Sequence, residues 1–108
     1  MLELTVEYEN INQLYRAYMP FVNSGGVFIP TSSAANLGDK VRISLMLPDD
    51  LEATVFDALV VWRNPVGVQG ARPIGLGVQL PPDNIKIKTL IETSLSRKLN
   101  GIEMTATM

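Results

Sequence analysis

The 108 residues are 46% hydrophobic and 19% charged, enough for one globular domain and too apolar for a disordered segment. Nine Lys and Arg against eleven Asp and Glu leave a net charge of −2, which disfavours nucleic acid or an anionic membrane as partner. With neither cysteine nor histidine, the chain lacks thiolates, disulfides and the commonest general base and metal ligand, which argues against an enzyme.

Leu2, Leu4, Val6 and Tyr8 alternate with Glu3, Thr5, Glu7 and Glu9, the pattern of a half-buried strand with an acidic outer face. The period then changes. Ile11, Leu14, Tyr15 and Tyr18 stand at i, i+3, i+4 and i+7, one stripe of a short helix. Asn10 fits its N-cap with Gln13 three residues on, and Pro20 ends it by disfavouring α geometry at Met19. So short a helix needs a surface to dock on.

Asn23-Ser24-Gly25-Gly26 is a turn, and Val27-Phe28-Ile29 is a strand closed by Pro30. After a second turn at Asn36-Leu37-Gly38-Asp39, Val41, Ile43, Leu45 and Leu47 alternate with Arg42, Ser44 and Met46. Pro48-Asp49-Asp50 ends that strand. Val55 to Trp62 is apolar on both faces except at Asp57, which predicts a central strand covered on both sides. Gly67 to Pro73 is a loop. Ile74, Leu76, Val78 and Leu80 then alternate with Gly75, Gly77 and Gln79. Two glycines on one face predict a bend or the close approach of another element.

Pro81-Pro82 stops the strand, and Asp83 is the expected N-cap of a helix of about four turns. Its stripe is Ile87, Leu90, Ile91, Leu95 and Leu99, and its end falls near Asn100-Gly101. Residues 1–101 then form a single domain, and 102–108 a short C-terminal tail. The fold class is mainly β: a small antiparallel β-barrel with a short inserted helix and a C-terminal helix. No apolar run approaches about 18 residues, so no membrane insertion is expected. Met1-Leu2-Glu3 lacks the basic start of a signal peptide, so a cytoplasmic location is expected.

Few residues are left for chemistry. Asp49, Asp50 and Glu52 cluster in a turn, without the glycine and distal glutamate of a calcium loop. Asp57 interrupts an apolar strand and is expected near an edge or beside a basic neighbour. Ser24 is a turn serine with no base to activate it. The glycines at 67, 70, 75 and 77 lack the Gly-Lys-Ser/Thr finish of a phosphate loop. Arg63 and Arg72 could fork a phosphate, but in an acidic chain scattered arginines are usually solvated surface. No catalytic residue, cofactor or metal site is therefore assigned. The aromatics carry more. Phe28 and Phe56 read as core, whereas Tyr15, Tyr18, Met19, Pro20, Phe21 and Trp62 are the candidate partner-binding residues.

Several strings resemble the PilZ domain family: Ala17-Tyr18-Met19-Pro20-Phe21-Val22, Gly25-Gly26-Val27-Phe28-Ile29-Pro30-Thr31, Leu37-Gly38-Asp39-Lys40-Val41 and Leu45-Met46-Leu47-Pro48-Asp49. Val60-Val61-Trp62, Pro65 with Gln69-Gly70, and Gly75-Leu76-Gly77-Val78-Gln79-Leu80 extend the likeness over nearly the whole chain. Within the family they are most similar to the type IV pilus assembly branch. Most PilZ domains bind cyclic di-GMP through an Arg-x-x-x-Arg segment and an Asp/Asn-x-Ser-x-x-Gly motif. The arginines fork the phosphates and stack on guanine. This chain has no arginine before Arg16, and Pro20 stands four residues after it. With Gly26 as the motif's last glycine, Phe21 takes the acidic position and Asn23 the serine position.

The resemblance therefore implies the branch that does not bind cyclic di-GMP and acts by protein contacts in type IV pilus biogenesis and twitching motility. It implies two partners: the pilus extension ATPase, and a regulator with degenerate GGDEF-EAL domains that senses the nucleotide. The alternative is a receptor that binds cyclic di-GMP directly.

Overall fold

The computed structural model describes residues 1–64 and 74–107, with side chains of the last helix through Ser96. The elements are β1 (Leu2–Glu7), α1 (Ile11–Ala17), β2 (Tyr18–Met19), β3 (Gly26–Pro30), β4 (Lys40–Met46), β5 (Thr54–Asn64), β6 (Gly75–Gln79) and α2 (Ile85–Thr107). One six-stranded sheet runs in the order β1-β4-β5-β6-β3-β2.

Its inner face is the alternation read from the sequence. Leu4 and Val6 of β1, Val41, Ile43 and Leu45 of β4, and Phe56, Ala58 and Val60 of β5 are buried in one core. Val27 and Ile29 of β3 and Leu76 and Val78 of β6 complete the layer. Leu14 and Ala17 of α1 and Ile87 and Ile91 of α2 close it, and α1 packs against α2 and β3. Asn10 caps α1, its Oδ1 accepting from the Gln13 N–H, while Gln13 Oε1 accepts from the Glu9 N–H.

Four expectations change. The sheet is not closed into a barrel: no ladder joins β1 to β2 among the described residues. β2 is only two residues long before Pro20, which has no N–H to donate, so it is too short to carry a closing ladder. Nor are all strands antiparallel. β1 runs parallel to β4, from Leu2 opposite Val41 to Glu7 opposite Met46. The long intervening chain, with α1 in it, allows that crossover. β5 is covered on one side only, leaving Val55, Leu59 and Val61 exposed on the other. Finally, the last helix does not stop at Asn100-Gly101. Its backbone stays helical to Thr107, because one interior glycine costs a helix only about 1 kcal/mol.

Candidate interaction surface

The face of the sheet opposite the helices exposes Val55, Leu59, Val61 and Trp62 of β5, and a bulge in that strand places the tryptophan there. Val60 pairs with Val78, but Trp62 pairs with Gly77, so Val61 is an extra residue in the strand. Without the insertion, Trp62 would share the inner face with Ala58 and Val60. With it, the indole turns outward and is 40% exposed.

Two cross-strand rows build the patch. Phe28 of β3, Gly77 of β6 and Trp62 of β5 lie side by side, and the two rings meet at 5.9 Å between centroids with 53° between planes. The adjacent row is Met19, Gly26, Gln79 and Leu59. Gly77 is the floor. A Cβ there would stand 3.1 Å from both Met19 Cε and Trp62 Cβ, a tight fit, so both side chains settle closely over this glycine. This is the close approach that the glycines of β6 predict.

The six candidate residues therefore divide. Met19 and Trp62 come together on the outer face, and Met19 is largely buried there. Pro20 and Phe21 follow at the exposed corner, with Phe21 83% exposed. Tyr18, the neighbour of Met19 in an extended strand, points to the opposite side of the sheet. Its hydroxyl donates to Glu92 Oε2 of α2 at 2.7 Å, and burial, followed by this carboxylate, pushes its pKa upward. The helix ends at Ala17, so Tyr18 belongs to β2 rather than to the helical stripe. Tyr15 remains on α1, 58% exposed. Sequence reasoning missed Phe28, Leu59 and Val61. Phe28 is partly buried and packs at the margin of the core; its opposite parity to Val27 and Ile29 is the signal that its ring also reaches the outer face.

The other polar candidates have local explanations. Asp57 sits opposite Arg42 in register and pairs with it at 2.9 Å. The hydrogen bond from Arg42 holds the Asp57 carboxyl below its ordinary range and raises the guanidinium. Asp49, Asp50 and Glu52 are exposed, and Asp49 has a positive φ of 68°. Arg63 Nη1 donates to Asn36 Oδ1 at 3.1 Å and to the Ala35 carbonyl at 3.4 Å. It borders a small groove of about 180 Å³ beside Thr31, Ser32 and Ile74. Arg72 and the glycines at 67 and 70 lie outside the described residues. Among the described residues no helix is long and apolar enough to cross a membrane.

A family model, the PilZ domain, matches residues 2–97. The chain belongs to the PilZ domain family. Domains of this family serve as cyclic di-GMP receptors or as adaptors. No curated protein matches the chain.

Proposed function

We propose that this PilZ domain is a cytoplasmic adaptor in type IV pilus biogenesis and twitching motility, working by contact with other proteins rather than by catalysis or nucleotide binding. Its partners in this reading are the pilus extension ATPase and a regulator with degenerate GGDEF-EAL domains. The observation that carries it is Phe21. At the position of the family's ligand-binding acid stands a phenylalanine 83% exposed, next to the patch of Met19, Phe28 and Trp62. Such a corner offers cyclic di-GMP no carboxylate, and the arginine pair that would fork its phosphates is missing from the sequence. Exposed aromatic groups are instead typical interface anchors.

Two measurements test the proposal. Calorimetric titration with cyclic di-GMP should give no saturable heat at low micromolar ligand. A pull-down from an extract of pilus-forming cells should retain the extension ATPase. Saturable nucleotide binding would make the domain a direct receptor, and failure to retain either named partner would remove the pilus assignment.

A further inference from the structure

β1 is an open edge of the sheet. Among the described residues β4 is its only strand neighbour, and no backbone hydrogen bond from another element reaches Glu3, Thr5 or Glu7. The Tyr8 N–H donates to the Met46 carbonyl at 3.0 Å, which fixes the parity of the strand. In a parallel pair the N–H and C=O of one residue face the same neighbour, and successive residues face opposite sides. Leu2, Leu4 and Val6 therefore face β4, as Tyr8 does. Glu3, Thr5 and Glu7 present their N–H and C=O groups to the open edge.

The side chains of those three residues are exposed on the outer face, while Leu4 and Val6 are buried beneath. An added strand would thus extend a sheet whose core is already formed. Its six residues include no proline, no lysine and no bulge, so charge is the guard it carries against pairing with an uncharged or acidic strand. That charge is acidic. Arg42, opposite Glu3, is bonded to Asp57, and Glu7 lies opposite the neutral Met46.

We infer that β1 takes up an extended segment of another protein by strand addition. The segment carries Lys or Arg on alternate residues, against Glu3 and Glu7, with aliphatic residues between them. Main-chain hydrogen bonds supply the affinity and the charges fix the register. A second copy of this chain fits badly, because an antiparallel pairing centred on Thr5 sets Glu3 against Glu7 at both ends, like charge on like. The inference stands independently of what the Trp62 face binds.

The test uses the whole chain, isotope-labelled, titrated to millimolar with a capped Lys-Val-Lys-Val-Lys-Val peptide and with its Glu-Val counterpart. The lysine peptide should shift the Glu3, Thr5 and Glu7 amides and slow their exchange, and the glutamate peptide should not. Thr5→Pro should abolish the effect while leaving the β4 and β5 amides unchanged, because the Thr5 N–H is not part of the β4 ladder. The double variant E3K/E7K should bind the lysine peptide about fivefold more weakly and gain binding of the glutamate peptide. The inference fails if those three amides do not respond, if Thr5→Pro responds like the parent, or if both peptides act alike. It also fails if sedimentation shows a dimer that Thr5→Pro dissolves, which would assign the edge to a second copy.

Discussion

The Tyr8 hydroxyl donates a 2.6 Å hydrogen bond to the Phe28 carbonyl, twenty residues further along the chain. Tyr8 follows edge strand β1, and Phe28 lies in β3 near the opposite edge. One side chain thus spans the two sides of the sheet where a barrel would have a ladder. Burial raises the Tyr8 pKa above its ordinary 10.0.

Tyr8→Phe should therefore lower stability by about 1–3 kcal/mol, because the Phe28 carbonyl loses its partner. The pH dependence has a definite sign. A hydroxyl whose pKa is raised on folding contributes fully below its unfolded pKa, near 10.0, and its contribution falls as pH rises beyond it. Denaturant unfolding across pH 8–11, on the order of the tyrosine range, should show an alkaline decline in the parent that is shallower in Tyr8→Phe. Identical declines would place the tyrosine outside the linkage.

Ile91 is fully buried under α2, whereas its neighbour Leu90 is 44% exposed. Ile91→Ala should cost about 2–5 kcal/mol in denaturant unfolding. Leu90→Ala should stay within about 0.5 kcal/mol. Equal costs would mean that the helix docks by a different face.

Gly77→Ala would place a methyl against Trp62 Cβ and Met19 Cε. The expected result is a loss of about 1–3 kcal/mol together with a shift in tryptophan emission as the indole is displaced. Since Trp62 is the chain's single tryptophan, the emission reports this position alone. Unchanged emission would contradict the packing over Gly77.

The two tyrosines of the first helical stripe should behave differently. Tyr18→Ala removes the link to Glu92 and should lower the melting temperature. Tyr15→Ala, at a 58% exposed site, should weaken binding of the pilus extension ATPase by about 2 kcal/mol or more at a temperature where the variant remains folded. A Tyr15→Ala protein that binds normally would remove this residue from the interface.

Much of the fold was legible because its signals are local. The alternation of Leu4, Val6 and Tyr8 and the fourfold spacing of Ile87, Ile91 and Leu95 each identify a buried face. The bulge was not legible. Val55 to Trp62 is apolar at nearly every position, so an inserted Val61 leaves no break in the pattern, yet it decides which way Trp62 faces. The local pattern makes Tyr18-Met19-Pro20 a helix end, but the pairing of Tyr18 with Val27 and Met19 with Gly26 makes Tyr18 and Met19 a strand, and pairing depends on residues distant in sequence. Barrel closure was equally hidden, since it turns on the two-residue length of β2 and on the reach of Tyr8.

In the proposed function an apolar sheet face, and not a nucleotide, makes the contact. The most direct test is calorimetric titration of the purified pilus extension ATPase into the parent chain and into Trp62→Ala, with melting curves for both proteins. Saturable binding to the parent is expected, with a loss of about 2 kcal/mol or more in Trp62→Ala at a temperature where the melting curves show both proteins folded. Equal binding by the two proteins, or binding to neither, would contradict the proposed contact.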